Sequence, residues 1–311
     1  MVKKASIPVK KGKKLKIGLI ILLIIAFFVL LFVISAFTNA VTNKLLVIPI
    51  KGTISTSDQT FLFFGQEANV PFILSCLERA EKDSTIKAVM LEINSGGGTV
   101  VGSSNVADKV KELKQQKPVV AFINEIGASG AYWIASTADK IIAEPFSLTG
   151  SIGVTASYLQ YAGLLSDFNI TYQRLVTGEF KDIATPYKEL TQRERKVLLD
   201  KLNIIHQEFL NVVAENRGLT EVQKTRVGNG LFYLGKEALD LGLVDELGNK
   251  KKAEQTAKSM ADSGELKIIK CEKRESFIPF FKSSATFAYF LGKGIGSELA
   301  GNPSAALPTI R

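Results

Sequence analysis

The chain has 311 residues, a length that suits one large domain or one domain with an accessory region. Its 46% hydrophobic and 22% charged residues are ordinary for a globular protein and exclude wholesale disorder. The formal net charge is +9, but seven lysines lie within residues 1–16 and the rest of the chain carries only +2, so the composition excludes a nucleic-acid-binding face.

An uncharged apolar segment follows the lysine-rich tail (residues 1–16). Residues 17–37 hold 21 residues without a charge, enough for a helix to cross roughly 30 Å of hydrocarbon. Because lysines collect on the cytoplasmic side of a spanning helix, the sequence predicts a single-pass protein of the cell membrane. Its N-terminus would be cytoplasmic and the chain after about residue 38 extracytoplasmic. The alternative is a cleaved signal peptide, with faint cleavage-site patterns at residues 35–37 and 38–40.

Alternating strand and helix patterns follow a short stalk (residues 38–44). The predicted strands are residues 45–54, 86–93, 118–123, 140–143 and 151–155, and the predicted helices are residues 72–82, 101–114 and 131–137. Residues 55–70 form a polar loop with an apolar tip at residues 61–64. Strand, glycine turn, helix and strand in this order are typical of right-handed parallel α/β units.

A long amphipathic helix is predicted for residues 191–217. Its apolar stripe steps by four and three residues, and Gly218 is a plausible cap; the stripe is Leu198, Leu202, Ile205, Phe209 and Val212. A short helix follows at residues 234–241. The tail (residues 276–311) holds an aromatic-rich stretch too short and too interrupted to span a membrane. Packing, lipid contact and oligomer contact all remain open for it.

The cysteines and the histidine limit the metal chemistry. Cys76 and Cys271 are far apart and outside any C-x-x-C pattern, so a disulfide and two buried free thiols are both compatible with the sequence. With one histidine and no clustered cysteines, a protein-built zinc site is disfavoured.

Two glycine-flanked turns follow consecutive predicted strands. Residues 94–98 lack the lysine and the spacing of a phosphate-binding loop, but a glycine amide there could approach an oxyanion closely. Residues 127–130 place Ser129 at the start of a helix, where its hydroxyl is either an exposed nucleophile or a helix cap. The turn alone favours the cap.

A nucleophilic serine needs a base, and the sequence offers two residue types for it. His206 is the only histidine and lies mid-helix on the flank of the apolar stripe, where a structural role is more common. The serine turn also misses the G-x-S-x-G pattern of α/β-hydrolases by one residue. A lysine would have to be neutral at the working pH. Lys181 is a candidate, although Glu179 and Asp182 would favour its protonated form if they faced it.

Four sequence blocks together resemble the signal peptide peptidase A family, the membrane-anchored Ser/Lys proteases of bacteria and archaea. The blocks are residues 94–98 (Asn-Ser-Gly-Gly-Gly), 127–132 (Gly-Ala-Ser-Gly-Ala-Tyr), 149–154 (Thr-Gly-Ser-Ile-Gly-Val) and 178–182 (Gly-Glu-Phe-Lys-Asp). They stand in the family's order, and the resemblance covers residues 45–248. It implies a ClpP/crotonase-like spiral α/β fold, here over residues 45–275 behind one transmembrane helix. Gly96 departs from the family, which usually has proline there.

The resemblance also implies a role for each matching residue. Ser129 stands at the family's nucleophile, and Lys181, 52 residues later, stands at its general base. Ser151 matches the serine that orients the lysine. Gly97 and the amide of Gly130 match the oxyanion-hole positions.

The implied function is cleavage of peptides at a membrane. The expected substrates are remnant signal peptides and other membrane-associated peptides, without a metal, an organic cofactor or a nucleic acid. Family members form rings or domes, so the resemblance predicts a homo-oligomer with Lys181 supplied in trans. Two alternatives remain on the same fold: an inactive membrane scaffold and an acyl-CoA-handling protein.

Overall fold

The computed structural model describes residues 21–32, 42–56 and 67–272. The lysine-rich tail (residues 1–16), the apolar loop tip at residues 61–64 and the tail (residues 276–311) lie outside the described residues. Contacts along the chain separate a unit ending at Cys271 from a second unit, of which only Glu272 is described.

Strands and helices alternate along most of the described chain. The strands are β1 (Lys44–Lys51), β2 (Thr53–Ser55), β3 (Glu67–Asn69), β4 (Ile86–Ser95), β5 (Val119–Ala128), β6 (Lys140–Ala143), β7 (Leu148–Gly150), β8 (Phe232–Leu234), β9 (Glu246–Leu247) and β10 (Lys267–Lys270). The helices are α1 (21–32), α2 (Val70–Lys82), α3 (Val100–Leu113), α4 (Gly130–Ser136), α5 (Ala162–Asp167), α6 (Gln192–Arg217), α7 (Glu221–Val227), α8 (Gly235–Asp240) and α9 (Lys250–Met260).

One predominantly parallel sheet of eight strands organises the fold. Six strands follow the order β10-β1-β4-β5-β6-β9, while β7 pairs with the end of β5 and β8 pairs with β7. All of these pairs are parallel except β7–β8. The prediction of an α/β protein with parallel units is therefore confirmed.

Helices cover both faces of this sheet. Strands β1 and β4 are buried almost throughout, which is why they read as near-continuous apolar runs rather than as alternating patterns. Helices α2, α3 and α4, with the second half of α6, pack on the larger of the two apolar clusters. Helix α9 covers the other face through Ala253 and Ala257.

The chain after β7 departs from the sequence prediction. A strand was expected at residues 151–155, but β7 ends at Gly150 and no regular structure follows before α5. Gly150 and Ser151 have φ angles of 79° and 50°, which an extended strand cannot accommodate. The strand prediction at residues 151–155 is wrong for this reason.

Helix α6 begins and ends as its sequence predicts. Thr191 and Glu194 form a reciprocal capping box, and Gly218 caps the other end with a φ of 61°. The apolar stripe is buried only in its second half, where Phe209 stacks on Trp133 with ring centroids 4.6 Å apart. The first half of the helix stands clear of the described core.

Cys76 on α2 and Cys271 after β10 form a disulfide. The sequence left a disulfide and free thiols open, and the structure has the disulfide. Since β10 is an edge strand of the sheet, the bond ties the last described strand to α2.

The predicted membrane span (residues 17–37) is described only in part. Helix α1 covers residues 21–32, and its apolar side chains are exposed. Within the three described ranges, no helix combines the length and apolarity needed to cross a bilayer. Residues 17–20 and 33–37 lie outside the described residues, so the span stays a prediction.

Candidate active site

The turn from β5 into α4 places Ser129 at the carboxyl end of a buried strand. Its backbone adopts φ 53° and ψ −126°, a conformation in which serine is strained. The Ser129 N–H donates to Gly150 O at 2.8 Å, and the Ser129 carbonyl accepts from Trp133 N–H at 2.9 Å. The Ser129 side chain makes no capping hydrogen bond to α4. The hydroxyl therefore does not serve as the helix cap that the turn alone suggested.

Ser129 and Ser151 line the same cavity, called here the Ser129 cavity, of about 290 Å³. Ser151 is held with its N–H donating to Leu231 O at 2.9 Å. The stacked rings of Trp133 and Phe209 contribute to the lining. The remaining described residues in the lining are small or β-branched: Gly98, Val100, Ser103, Gly130, Gly153, Val154, Thr155 and Gly230. The cavity is thus a partly apolar pocket with hydroxyl groups in its wall.

Gly130 offers an amide beside Ser129. It is the first residue of α4, and the first N–H groups of a helix have no partner within the helix. Together with the helix dipole, such amides favour a negative charge at this end. The position can therefore hold a developing oxyanion next to the Ser129 hydroxyl.

Gly97 lies directly against this turn. A Cβ atom built on Gly97 would lie 2.7 Å from Gly130 N and 3.0 Å from Ser129 Cβ, and the Gly97 φ is 100°. Only glycine fits this close approach without displacing backbone. The Gly97 N–H, however, donates to Ser95 Oγ at 3.1 Å. To bind an oxyanion, this amide would have to exchange its present partner for the ligand.

Lys181 lies in an irregular turn far along the chain from Ser129. Its N–H donates to Gly178 O at 3.2 Å, and the residue is exposed. It is absent from the described residues that line the Ser129 cavity. The structure thus brings Ser129, Ser151 and Gly130 together, with Gly97 beside them, and leaves Lys181 outside that group. The catalytic role of each residue stays a prediction.

His206 is half-buried on α6 and is likewise absent from the described cavity lining. Its Nε2 atom is buried and has no hydrogen-bond partner among the described residues. Nothing in this placement connects the imidazole with the Ser129 hydroxyl.

Ser103 is a cavity residue that the sequence interpretation missed. It lies on α3 and is fully buried, and its Oγ has no hydrogen-bond partner within the described part of the chain. A Cβ atom built on Gly130 would lie 2.2 Å from Ser103 Oγ, so the hydroxyl packs on the start of α4. A signal was present in the sequence, since Ser103 shares the buried face of α3 with Val106 and Val110 at helical spacing. A hydroxyl on such an apolar face is unusual.

Comparison with known proteins shows that the chain is similar to peptidases. The family model described as peptidase family S49 matches residues 111–263, which include Ser129, Ser151 and Lys181. A provisionally named protease of Methanocaldococcus jannaschii is 34% identical, over 77% of this chain and 77% of its own length. The chain belongs to peptidase family S49. The resemblance to the signal peptide peptidase A family is thereby confirmed.

Two further relatives carry the same activity in their names. A provisionally named signal peptide peptidase of Enterococcus faecium is 31% identical, over 68% of this chain and 61% of its own length. Protease 4 of Haemophilus influenzae is 32% identical, over 71% of this chain and 35% of its own length. The S49 chain described here therefore spans about three-fifths and one-third of these two relatives.

Proposed function

We propose that this S49 peptidase is a serine endopeptidase that uses Ser129 as its nucleophile and Lys181 as its general base. The observation that carries the proposal is the Ser129 turn. A serine held at φ 53° at the start of a helix, with no capping bond, presents its hydroxyl to a cavity beside the Gly130 amide. Strained, uncapped residues of this kind concentrate at catalytic sites.

The proposed reaction is acyl transfer in two steps. Neutral Lys181 takes the proton of the Ser129 hydroxyl while Oγ attacks the peptide carbonyl carbon. The Gly130 amide, joined by the Gly97 amide after it leaves Ser95 Oγ, stabilises the oxyanion. The lysine ammonium then returns its proton to the leaving amine as the carbon–nitrogen bond breaks. A water molecule, deprotonated by the same lysine, hydrolyses the acyl-enzyme and frees Ser129.

We further propose that Lys181 serves the Ser129 cavity of a neighbouring copy of the chain. The segment that carries it, residues 151–191, contains only the short helix α5 and exposes many large apolar side chains. Leu175 is 94% exposed, and Leu159 and Phe168 are more than two-thirds exposed. Large apolar side chains exposed in this number support a surface that binds another protein. A second copy that covers this surface would bring its own Ser129 cavity towards Lys181.

The proposed setting is the outer side of a membrane, with remnant signal peptides as substrates. The uncharged residues 17–37 behind a lysine-rich tail support a single-pass anchor. The disulfide between Cys76 and Cys271 supports an oxidising compartment. The Enterococcus faecium relative is provisionally named a signal peptide peptidase, and this supports the substrate class.

The ClpP/crotonase-like spiral is the fold that we infer within the α/β class. Its support is the run of parallel units in which β4 is followed by the Gly97 turn and β5 by the Ser129 turn. Because β4 and β5 are neighbours and parallel, their carboxyl ends meet, and the two turns lie against each other.

The test is cleavage of a hydrophobic signal-peptide-like substrate by the full chain in detergent. Ser129→Ala and Lys181→Ala are expected to lower kcat/KM by at least about a thousandfold, while His206→Ala keeps activity within about threefold. The kcat/KM of the parent should rise towards mildly alkaline pH, because the base acts in its neutral form. An active Lys181→Ala chain, or a rate maximum in the acid range, would rule out the lysine base.

A further inference from the structure

The turn that contains Lys181 (residues 178–182) carries a carboxylate on each side of it. Glu179 precedes it by two residues and Asp182 follows it directly. A carboxylate close to an amine favours the protonated form, which is the form that a general base cannot use. Either carboxylate would oppose the proposed base if its side chain turned towards the Lys181 amine, and the described structure shows that each is bound elsewhere.

Asp182 is held by a two-point ion pair with Arg174. Arg174 Nε lies 2.7 Å from Asp182 Oδ2, and Arg174 Nη2 lies 2.9 Å from Oδ1. The same Nη2 donates to Glu179 O at 3.0 Å, so one guanidinium binds both ends of the turn. Lys188 Nζ adds a third positive group, 3.6 Å from Asp182 Oδ1. The Asp182 side chain is only 10% exposed, so water screens this group weakly.

The hydrogen bond from Arg174 lowers the pKa of Asp182 to about 2. Asp182 is therefore a charged carboxylate at every pH at which the peptidase could act. It is matched by Arg174 and Lys188, so it does not stand as an unpaired negative charge next to Lys181.

Glu179 has its own arginine partner on α6. Arg193 Nη1 lies 2.7 Å from Glu179 Oε1, and the Arg193 guanidinium lies 5.3 Å from the centre of the Phe180 ring. Both side chains of this ion pair are more than half exposed, so it is weaker than the Arg174–Asp182 pair. Glu179, Phe180 and Asp182 thus each contact an arginine.

Lys181 itself has no such partner within the described residues. No described carboxylate oxygen lies within the 4.0 Å salt-bridge distance of its Nζ atom. The described ion pairs at this turn join Asp182 to Arg174 and Lys188, Glu179 to Arg193, and Glu194 to Lys188. Each of these three carboxylates therefore already has a positively charged partner, and the Lys181 amine is not one of them.

We propose that Arg174, and more weakly Arg193, are positioning residues that neutralise the two carboxylates beside Lys181 and fix the turn that presents it. The inference rests on the proposed role of Lys181 as the base. Arg174 acts through Asp182 and the Glu179 carbonyl, and it is absent from the described lining of the Ser129 cavity. Without it, the Asp182 carboxylate keeps only Lys188, 3.6 Å away, and becomes free to turn towards the neighbouring Lys181 ammonium.

The experiment compares pH profiles of kcat/KM for the full chain in detergent. The variants are Arg174→Ala, Arg193→Ala, the double variant Arg174→Ala with Asp182→Asn, and Arg174→Lys. Lys196→Ala is the matched control, because Lys196 pairs with Asp200 at 2.8 Å on the same α6 and its loss frees a carboxylate elsewhere. Circular dichroism and size-exclusion chromatography check that each variant is folded.

Arg174→Ala should move the midpoint of the profile to higher pH by about one unit and lower kcat/KM below that midpoint about tenfold. Arg193→Ala should give a smaller shift, and Lys196→Ala none. The double variant should return the midpoint to the parent value, because it removes the carboxylate that Arg174→Ala exposes. Arg174→Lys keeps the charge, so the midpoint of its profile should lie between those of the parent and Arg174→Ala. This variant preserves the test if Arg174→Ala does not fold.

An unshifted Arg174→Ala profile would overturn the inference. So would a double variant with the same displaced midpoint as Arg174→Ala, since a purely structural role predicts no electrostatic rescue. A parallel Lys181→Ala chain separates this failure from failure of the proposed function. If Lys181→Ala is inactive and the Arg174→Ala profile is unshifted, only the positioning role fails. If Lys181→Ala is active, the base assignment fails as well.

Discussion

Ser129 and Ser151 both hold backbone conformations that serine rarely adopts. Their φ angles are 53° and 50°, and non-glycine residues in such regions cost about 1–3 kcal/mol each. The surrounding backbone maintains them, since Ser129 N–H donates to Gly150 O and Ser151 N–H to Leu231 O. The strain lies at two residues to which the proposed mechanism assigns fixed positions. The backbone at both serines is therefore fixed before the substrate arrives.

Because of this strain, glycine should be more stabilising than alanine at position 129, the reverse of their usual order. Ser129→Gly and Ser129→Ala should both be inactive, but Ser129→Gly should have the higher free energy of unfolding, by about 1 kcal/mol, because glycine relieves the backbone strain that alanine retains. Urea denaturation followed by circular dichroism measures the difference. Ser136, also on α4, is the matched control, where alanine should exceed glycine by about 1 kcal/mol. A higher free energy of unfolding for Ser129→Ala than for Ser129→Gly would show that the backbone at position 129 is not strained.

The unpartnered hydroxyl of Ser103 predicts a stabilising substitution in the wall of the Ser129 cavity. Ser103→Ala should raise the free energy of unfolding by about 1 kcal/mol, because the buried Oγ has no described hydrogen-bond partner to offset its desolvation. Ser136→Ala should lower it by a similar amount, since Ser136 Oγ donates to Trp133 O at 2.7 Å. Urea denaturation gives both free energies from the midpoints, with the same dependence of the free energy on urea concentration in each variant. A destabilised Ser103→Ala chain would mean that the hydroxyl is satisfied in solution.

Among the secondary-structure elements, several were predictable from local sequence patterns. The helices expected at residues 72–82, 101–114 and 131–137 lie within two residues of α2, α3 and α4, and β6 matches its prediction at both ends. Apolar periodicity and glycine punctuation are local signals, and here the tertiary structure agrees with them. The half-exposed first half of α6 was not predictable. Periodicity shows which face of a helix is apolar but not which partner covers it.

The end of α6 is fixed by a partly buried ion pair whose loss should destabilise the fold. Arg217 Nη2 lies 2.8 Å from Asp245 Oδ1, and Arg217 Nε donates to Gly242 O at 3.1 Å. Burial raises the pKa of Asp245, but hydrogen bonds from Arg217 and from Ile141 N–H outweigh it and leave the pKa below its ordinary value. The stability that this carboxylate contributes is therefore present above the ordinary pKa and is lost as the pH falls through the lower folded value.

Arg217→Ala should lower the free energy of unfolding by about 3 kcal/mol at pH 7, since it leaves the Asp245 carboxylate without its partner. The difference from the parent should shrink near pH 3, where Asp245 in the variant is protonated. Urea denaturation at the two pH values measures both effects. Lys111→Ala is the control, because the Lys111–Glu215 pair is exposed and should contribute less than about 1 kcal/mol. A deficit that stays constant with pH would exclude the electrostatic account.

At the scale of the whole molecule, most of the residues that the sequence assigned to one site lie together in the fold, while Lys181 does not, and their catalytic roles stay predictions. Three of the four motifs supplied Ser129, Ser151, Gly97 and Gly130, and the fold brings these residues together because β4 and β5 end side by side and β7 pairs with the end of β5. The position of Lys181 could not be derived this way, since an exposed turn carries no local signal of what it faces. The disulfide was also beyond prediction, because 195 residues separate its cysteines.

The exposed apolar side chains of residues 151–191 predict an oligomer contact, and one carboxylate introduced there should weaken it. Leu175→Asp should lower the mass of the particle measured by light scattering in detergent and reduce kcat/KM in parallel, because a buried unpaired carboxylate opposes assembly. Val222→Asp on α7 is the matched control, since Val222 is 81% exposed but lies outside residues 151–191. Unchanged mass and activity for Leu175→Asp would exclude this segment as the interface.

Subunit mixing tests whether one copy supplies Lys181 to another. Ser129→Ala and Lys181→Ala chains are each expected to be inactive, but mixed assemblies that exchange subunits contain sites with Ser129 from one chain and Lys181 from its neighbour. For random one-to-one mixing around a closed ring, about one quarter of the sites should be intact. Activity near one quarter of the parent level is the expected result, and separately assembled chains combined without exchange are the control. If Lys181 acted within its own chain, no site would be intact in any mixture. Complete inactivity after demonstrated exchange would therefore show that Lys181 serves the cavity of its own chain.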